Sequence, residues 1–551
     1  MPSELDRRFD ELLEQVTGPG GRLVIGKDEQ GRAIVTNFPA TVPQLFRTFC
    51  ALNAEVEAVV AGEERLTFAD VDRISEQVAH RLVARGVAKG DRIGIAMRNC
   101  PTWIVSYIAI LKAGGIATLL NGWWEPLEME HAVQLTQPKL IIADPPRAKR
   151  IAARCEQIDI MSLPIDLPIE QAVAELLGAP EAQLPEIVPD DDATILFTSG
   201  STGESKGALS THRAVTTATY AYSTGLIVLL GILTTEGRPP KSQPRTLLSV
   251  PLFHVTGEVP VMINSFVVGR CMVIMPKWDA TEALRLIEKE KITYFVGVPT
   301  MSLELMNHPD RHKYDLSSLT DITAGGAPRP ITHVERLQDE FPHAQPALGY
   351  GLTETNAAGC ANYWGNYAAK PASTGRAQKP FIDIAILGAG DAHLGVGETG
   401  EIAIRGAVNI SCYWRNPEAT AALFTADGYV RTGDVGYLDE DGYLFIVDRK
   451  KEIIIRGGEN ISAAEVEAEC YACPDVSEVA VFGAPDERLG EVPIAVIHSK
   501  NSLSEQSLRE FLESRIAKFK IPARFIFSEE PLPRLGTGKI DRRALKAQHA
   551  H

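Results

Sequence analysis

Apolar runs and helical patterns alternate along the first part of the chain. Residues 68–85 and 103–113 place apolar side chains at helical spacing. Residues 92–97 and 139–143 are short, continuous apolar runs of the kind that form buried strands. This order of helices and strands is typical of a parallel sheet.

A second alternating block extends over residues 246–347. Four short apolar runs in it predict strands, at 247–250, 271–275, 294–296 and 321–324. From residue 382 the pattern changes to short β runs separated by glycine turns, which predicts a small β-rich subdomain. Its predicted strands are 382–387, 400–405, 428–431 and 442–447.

Another change follows the charged turn at residues 448–452, after which about a hundred residues have mixed α and β character. A Pro-rich, acidic stretch at 164–192 predicts a connector inside the first part. We therefore predict an α/β protein with two domains, 1–450 and 451–551. The large N-terminal domain is expected to stack βα subdomains and to carry the β-rich subdomain, and the smaller C-terminal domain to be α+β.

Length and charge restrict the classes of partner. A chain of 551 residues is too long for a single core. A net charge of −16 argues against nucleic acid or an anionic membrane as the main partner. The start of the chain is polar and acidic, without a signal-peptide pattern. The longest apolar run, at 226–233, is far short of a membrane span. We expect a soluble, cytoplasmic protein without an integral membrane segment.

The eight cysteines are scattered, as expected of free thiols in a reducing compartment. Cys470 and Cys473 have the spacing of a redox or metal pair. They lie in a helical pattern and lack a second pair or a nearby histidine. Zinc needs more ligands than this pair supplies, so we interpret both as structural thiols.

A glycine- and hydroxyl-rich loop follows a predicted strand at 193–197. Glycines allow a close approach of the backbone to phosphate, and N–H and hydroxyl groups donate to phosphate oxygens. The spacing is not that of a Walker loop. Taken alone, the loop could equally be a flexible surface segment. The candidate phosphate-binding residues are Thr198, Ser199, Gly200, Ser201, Thr202, Gly203 and Lys206.

Further motifs follow this loop in a fixed order: Pro-Leu-Phe-His at 251–254, Gly-Gly-Ala-Pro at 325–328 and Gly-Tyr-Gly-Leu-Thr-Glu-Thr at 349–355. Tyr-Val-Arg-Thr-Gly-Asp at 429–434, Asp-Arg-Lys-Lys-Glu at 448–452, Arg-Gly-Gly-Glu-Asn-Ile at 456–461 and Gly-Thr-Gly-Lys at 536–539 complete the set. Each is weak alone. The ordered set resembles the adenylate-forming superfamily of acyl-CoA synthetases, adenylation domains and firefly luciferase, from about residue 66 to the end.

The resemblance implies an ATP site. Tyr350 would stack on adenine, with Gly325, Gly326 and Ala327 on the other side and Gly349 and Gly351 beside it. Asp434 would accept hydrogen bonds from the ribose hydroxyls, and Arg449 would contact the ribose or the phosphates. Glu354 would hold Mg²⁺, with Thr353 and Thr198 nearby, since a hard carboxylate oxygen suits this metal.

The resemblance also implies the residues that act on the acid. A carboxylate that attacks the α-phosphate brings two anions together, so positive charge is needed there. Lys539 would bridge the two, although a lysine in a turn is more often only solvated. His254 would border the acyl site. Lys451 would be the hinge about which the C-terminal domain turns between the two half-reactions.

The motif at 457–462 resembles its CoA-ligase form, whereas peptide-synthetase domains more typically carry Arg-Ile-Glu in place of residues 460–462. Gly457 and Gly458 would face the pantetheine thiol. The expected reaction consumes a small carboxylic acid, ATP and coenzyme A. A ligase that loads a carrier protein is the alternative. A non-catalytic nucleotide- or acyl-binding protein is a third, which the intact set of motif residues argues against.

Four segments are expected to line the acyl pocket, at 254–258, 299–303, 325–327 and 349–359. They contain no lysine or arginine to pair with a second carboxylate, which predicts an apolar fatty or aromatic monocarboxylate. Glu258 is unusual there, and either points away or binds a substrate hydroxyl. The candidate substrate contacts are His254, Val255, Gly257, Met301, Gly325, Gly351, Leu352 and Ala357.

One loop departs from the family pattern. Residues 121–126 read Asn-Gly-Trp-Trp-Glu-Pro where a plainer Asn-Pro turn is expected. We interpret Trp123 and Trp124 as packing residues. The sequence leaves the oligomeric state open and is compatible with a homodimer.

Overall fold

The structure is a computed structural model that describes residues 2–178, 180–198, 205–327, 329–456, 459–499, 503–535 and 538–550. Its helices are α1 (Glu4–Thr17), α2 (Val42–Leu52), α3 (Phe68–Ala84), α4 (Pro101–Lys112), α5 (Pro126–Thr136), α6 (Pro145–Ala152), α7 (Ile169–Ala172), α8 (His212–Thr235), α9 (Asn264–Val267), α10 (Ala280–Glu290), α11 (Pro299–Asn307), α12 (Ile331–Glu340), α13 (Trp364–Ala369), α14 (Pro417–Leu423), α15 (Ala463–Tyr471), α16 (Glu505–Glu513) and α17 (Arg542–His549).

The strands are β1 (Ile25–Lys27), β2 (Ala33–Val35), β3 (Glu57–Ala61), β4 (Glu64–Thr67), β5 (Arg92–Ala96), β6 (Ile116–Leu119), β7 (Leu140–Ala143), β8 (Ile160–Ser162), β9 (Asp192–Thr198), β10 (Lys206–Thr211), β11 (Arg245–Leu248), β12 (Cys271–Ile274), β13 (Tyr294–Gly297), β14 (Asp321–Gly325), β15 (Gln345–Tyr350), β16 (Cys360–Tyr363), β17 (Ser373–Ala377), β18 (Asp383–Leu387), β19 (Gly400–Arg405), β20 (Cys412–Tyr413), β21 (Val430–Leu438), β22 (Tyr443–Arg449), β23 (Ile454–Arg456), β24 (Glu459–Ile461), β25 (Val476–Asp486), β26 (Gly490–Ser499) and β27 (Arg524–Ser528).

Apart from the hairpin of β1 and β2, the strands form two large sheets and a third, smaller one. The first has the order β20-β10-β9-β6-β5-β7-β8, and the second the order β18-β19-β21-β22-β17-β16-β15-β14-β13-β11-β12-β3-β4. The predicted parallel pairing is present in both, as in β5 with β6 and β7, and in β13 with β11 and β14. The α/β fold class expected from the sequence is confirmed.

The β-rich subdomain predicted from residue 382 joins the second sheet through β17, which pairs with both β16 and β22. The third sheet, of β23 to β27, lies after residue 450. The last strand of the second sheet ends at Arg449 and the first strand of the third begins at Ile454. The predicted domain boundary falls between them.

Several helices lie where the sequence patterns predict none, and α1 and α8 are the longest of them. The acidic N-terminus forms α1, because Ser3 and Asp6 cap its first turn reciprocally. The apolar run at 226–233 belongs to α8. By length and composition α8 could cross a membrane, but 72% of its most apolar window is buried inside the protein. It contacts α1, α2, α9 and the strands β2, β9 and β10, as a core helix does.

Candidate active site

The turn that carries Lys539 lies against the carboxyl ends of the parallel strands of the second sheet. A Cβ added to Gly326, which follows β14, would lie 3.2 Å from Lys539 Cε and 3.4 Å from its Nζ. A Cβ added to Gly538 would lie 3.2 Å from Cγ2 of Val298, next to β13. Ligands in α/β proteins bind at this edge of a parallel sheet. Lys539, 213 positions from Gly326 in sequence, therefore lies at this edge of the sheet.

The turn is held from both sides within the C-terminal domain. Arg534 donates to the Gly538 carbonyl at 2.8 Å and also pairs with Glu478. On the other side, Arg542 pairs with Glu452 at 2.5 Å and with Glu467. These bonds fix the backbone on either side of Lys539, so its position depends on the orientation of the whole domain.

Burial and neighbouring charge change the ionisation of two site residues. Burial and the nearby Arg449 guanidinium lower the pKa of Lys539 to about 8, although Asp434 acts in the opposite direction. Burial and the Lys539 charge lower the pKa of His254 to about 3. His254 is therefore neutral at physiological pH, and its Nδ1 accepts a hydrogen bond from the Thr256 backbone.

Asp434 is the centre of a polar cluster formed by three sequence-predicted residues. The Tyr350 hydroxyl donates to its Oδ2 at 2.7 Å, and Arg449 Nε lies 3.1 Å from its Oδ1. Asp434 is only 4% exposed, and burial raises its pKa. The structure thus brings the predicted adenine and ribose residues together at the end of β15 and at the pair of β21 and β22.

A second cluster surrounds Tyr413, which the sequence analysis did not select. Its hydroxyl donates to Glu354 Oε1 at 2.6 Å, and Lys206 Nζ lies 4.9 Å from the centre of its ring. Lys206 also pairs with Thr198 across β9 and β10. Tyr413 thus links the predicted metal and phosphate residues. No motif marks it in the sequence, because only the pairing of β20 with β10 brings it there.

Several predicted residues lie outside the part that the structure describes. They are Ser199, Gly200, Ser201, Thr202 and Gly203 of the phosphate loop, and Gly457 and Gly458 of the CoA-side motif. Thr353 and Glu354 lie in a short 3₁₀ turn after β15, where the Glu354 carbonyl accepts from Ile410 N. Lys451 is the second residue after β22 and lies between the last strand of the second sheet and the first strand of the third.

Two glycines of the predicted acyl segments, Gly325 and Gly349, leave room beside them. Among the described residues, a Cβ added to Gly349 would meet no atom within 4 Å, and one added to Gly325 would meet only the Gly349 carbonyl oxygen. Ala357, at the rim, has its carbonyl bonded by the Tyr222 hydroxyl of α8. Gly325 and Gly349, which are paired across β14 and β15, therefore leave space beside the strand ends that Lys539 reaches.

Other predicted substrate contacts are more tightly packed. Gly257 and Gly351 lie so close to neighbouring backbone that a Cβ would come within 2.2 Å and 1.9 Å of a carbonyl oxygen. Val255 is buried, and Leu352 is half-buried beside the main core. Met301 packs against Gly297 and lies near Gly538. Gly297 and Tyr294 are on opposite faces of β13, so Met301 lies on the face away from Tyr294. It supports the Lys539 turn instead of facing the space above Gly349.

Glu258 lies in a π-helix, Gly257–Ile263, and its side chain is turned toward α4. The Tyr107 hydroxyl donates to its Oε1 at 2.7 Å, and burial raises its pKa to about 8. Since α4 packs on the strands of the first sheet, Glu258 faces away from β14 and β15.

Trp123 and Trp124 pack as the sequence analysis expects. The Trp123 ring lies 4.8 Å from the Arg98 guanidinium, and Trp124 meets Phe197 of β9 edge-to-face. The other unassigned pair, Cys470 and Cys473, is buried in the core of the C-terminal domain.

Comparisons with known proteins agree with this geometry. The family model "AMP-binding enzyme" matches residues 46–414, and "AMP-binding enzyme C-terminal domain" matches 465–539. A long-chain-fatty-acid–CoA ligase of Bacillus subtilis is 33% identical over 88% of this chain and 90% of its own. A feruloyl-CoA synthase of Amycolatopsis is 32% identical over 89% and 95%.

Among solved structures, ATP-bound MatB from Rhodopseudomonas palustris superimposes with a TM-score of 0.82. It is 28% identical, and the match covers 93% of this chain and 99% of MatB. The two family models, the full-length relatives and the shared fold give one assignment. The chain belongs to the AMP-binding enzymes and is an adenylate-forming ligase of the acyl-CoA synthetase type.

Proposed function

We propose that this ligase couples an apolar monocarboxylic acid to coenzyme A at the expense of ATP. A carboxylate oxygen attacks the α-phosphorus of ATP, which gives acyl-AMP and pyrophosphate. The CoA sulfur then attacks the acyl carbon, which gives acyl-CoA and AMP. The main support for this proposal is the position of Lys539, which lies over Gly326 and near Asp434 and Arg449.

Lys539 suits the first step because it is a cation where two anions must meet. An ammonium group in a site with little water stabilises the charge that develops at the α-phosphate far more than it would in water. The Arg449 charge lowers the pKa of Lys539, so two cations lie where an anion is expected. The polyphosphate of ATP supplies one.

The nucleotide would be held by the two clusters. Asp434 would accept from the ribose hydroxyls, with Arg449 moving toward the sugar or phosphates. Tyr350 would stack on adenine against Gly326 and Ala327. Lys206, beside the loop at 199–204, would bind the phosphates that leave as pyrophosphate.

Mg²⁺ fits the donors that are present. Glu354 offers a carboxylate whose Oε1 is oriented by Tyr413, and Thr198 ends the neighbouring strand. The described residues contain no group of three His, Cys, Asp or Glu side chains around a point. Mg²⁺ is bound in such sites through one or two protein groups together with substrate phosphates. When bound, it would neutralise charge on the phosphates.

Lys451 would serve as the hinge between the half-reactions. Lys451 lies between the second and third sheets. The described ion pairs that flank the Lys539 turn are made with Glu452, Glu467 and Glu478, which all follow Lys451 in the chain. Rotation about residue 451 would withdraw Lys539 and bring the segment at 457–458 toward the acyl-adenylate.

The acid is proposed to be a largely apolar monocarboxylate, since the predicted acyl segments contain small and apolar residues and no lysine or arginine. The relatives whose names specify long-chain fatty acids and ferulate support a fatty or aromatic acid. The eight free cysteines support a reducing, cytoplasmic location. A homodimer stays a prediction, which light scattering of the purified protein would test.

A pyrophosphate-release screen over fatty and aromatic acids tests the proposal. We expect release to depend on the acid and AMP formation to be accelerated by CoA. Release that is independent of any acid would contradict the function. Acyl transfer to a carrier protein but not to CoA would favour the alternative acceptor.

A further inference from the structure

The face of the second sheet that carries Gly325 and Gly349 extends toward the amino ends of β14 and β15. Side chains alternate between the two faces of a strand. Ile322 and Ala324 of β14 belong to clusters on the outer face, so Asp321, Thr323 and Gly325 face α8. Ala347 and Ala361 of the neighbouring strands lie on the same inner face. Small side chains therefore extend from the active site toward the opposite edge of the sheet.

The far end of this strip is polar. Tyr294 begins β13 and lies beside Asp321, while Tyr363 ends β16 opposite Ala347. From the α8 side, a Cβ on Gly225 would come within 2.8 Å of the Tyr363 hydroxyl. Tyr222 of α8 interacts electrostatically with both phenols, although its own hydroxyl bonds the Ala357 carbonyl nearer the active site. Two phenols, those of Tyr294 and Tyr363, thus lie between α8 and the amino ends of the strands.

Arg270 closes this end. Its guanidinium lies 4.5 Å from the centre of the Tyr294 ring, and the residue is 3% exposed. Within the described part of the chain, its Nε and Nη2 have no hydrogen-bond partner. Leaving such donors unpaired in a protein interior costs free energy. A buried guanidinium with free N–H groups, at the end of a strip of small residues, is suited to an incoming oxygen.

The local charge selects a neutral oxygen over a second carboxylate. Asp321 contributes a negative charge that interacts with Arg270. Its own oxygens accept from Trp364 Nε1 at 3.2 Å and from the Thr320 hydroxyl at 2.8 Å, so it is a fixed part of the site. Arg270 thus has a negative charge nearby but keeps two N–H-bearing nitrogens without an acceptor among the described residues.

We propose that the acid carries a hydrogen-bond acceptor, a ketone or hydroxyl oxygen, at the end remote from its carboxylate, and that Arg270 and Tyr294 bind this oxygen. This inference rests on the proposed acyl-CoA ligase function and narrows its substrate class. Asp321 and Gly325 are separated by four strand positions, or about 13 Å. The acceptor is therefore expected at about that distance from the carboxylate.

The test compares acids that differ only in a distal oxygen. Decanoic acid is paired with 9-oxodecanoic acid, and 4-phenylbutyric acid with 4-(4-acetylphenyl)butyric acid. For the unaltered enzyme we expect kcat/KM to favour the oxo member of at least one pair by about 10- to 100-fold, as befits hydrogen bonds to a buried charged donor. No preference in either pair would overturn the proposal.

Variants test whether Arg270 and Tyr294 cause the preference for the oxo acid. Tyr294→Phe and Arg270→Met remove donors with little change of shape, and each is expected to reduce the oxo preference at least threefold while turnover of the plain acid persists. Tyr220→Phe is the matched control, since its hydroxyl donates to the Pro39 carbonyl elsewhere on α8. Should Arg270→Met fail to fold, Tyr294→Phe decides alone.

Two further outcomes are distinguishable. An unchanged preference in the folded variants, or a stronger preference for decanedioic acid than for the oxo acid, would overturn this inference. In both cases the plain acids would still release pyrophosphate, so the ligase function would stand. If no acid of any kind supported pyrophosphate release, the proposed function would fail and the inference with it.

Discussion

Two lysines approach the active site from different parts of the molecule. Lys206 belongs to β10, which is paired on both sides within the first sheet, and its ammonium group lies over the Tyr413 ring. Lys539 belongs to a turn of the C-terminal domain, and its side chain crosses Gly326 at the edge of the second sheet. The first is part of a fixed wall, and the second arrives with a separate domain.

This difference between the two lysines suggests that Lys206 serves ATP binding and Lys539 serves the chemical step. A cation built into a sheet is present in every domain orientation, which suits the holding of phosphates. A cation carried on a separate domain can be present for one half-reaction and absent for the other. Burial and the Arg449 charge lower the pKa of Lys539, which marks it as the group placed where another charge is expected.

Lys539→Ala is expected to give the largest effect. Adenylation, measured as acid-dependent ATP–pyrophosphate exchange, should fall by about 10²- to 10³-fold, because the variant loses the positive charge at the α-phosphate. Lys518→Ala, an alteration in the same domain away from the site, is the control. Full exchange activity in Lys539→Ala would remove the contrast between the two lysines.

Lys206→Ala should act mainly on ATP binding. We expect the KM for ATP to rise by about 10-fold, with a smaller change in kcat, since a charged contact to phosphate that is present throughout is lost. The KM for the acid serves as the internal reference and should stay within about twofold. A fall in kcat as large as that of Lys539→Ala would show that both lysines serve the chemistry.

Lys451→Pro tests whether Lys539 must leave. Proline fixes φ at residue 451 and restricts residue 450, so the rotation of the C-terminal domain should be impeded. We expect CoA-dependent thioester formation to slow by about 10-fold while pyrophosphate exchange persists, which would also show that the variant folds. Lys450→Ala, which loses only a pairing with Glu401, is the control. Equal losses in both half-reactions would contradict a hinge at this position.

The pH dependence gives the smallest but most specific effect. Lys539 must be protonated to act, and its pKa is about 8, so kcat/KM for adenylation should decline above pH 8. Lys539→Arg, whose guanidinium stays charged, should abolish this decline even if its rate is lower. His254 has a pKa of about 3 and should contribute no titration near neutrality. Persistence of the decline in Lys539→Arg would assign it to another group.

The sequence predicted elements best where periodicity was clear. The helix expected at 68–85 is α3, Phe68–Ala84, and the strand expected at 400–405 is β19. In contrast, α8 was missed because a helix that is buried on most sides lacks an amphipathic pattern. The connector at 164–192 contains α7, which is only four residues long and too short to show a period.

The site residues likewise divide into those that a sequence pattern marks and those that it does not. Lys539, Asp434 and Tyr350 were accessible from sequence because each lies in a motif of the ordered family set. Tyr413 and Arg270 were not, because they acquire their neighbours only through strand pairing and sheet order. Glu258 illustrates the converse. Its segment predicted a place in the acyl pocket, but the helix turns the carboxylate toward Tyr107.

The most direct test supplies the Lys539→Ala variant with preformed acyl-adenylate and CoA, and measures thioester formation in a single turnover. The account predicts a rate within about threefold of the unaltered enzyme, since the lysine is needed only before the adenylate exists. A loss as large as that in pyrophosphate exchange would contradict the claim that Lys539 serves adenylation alone.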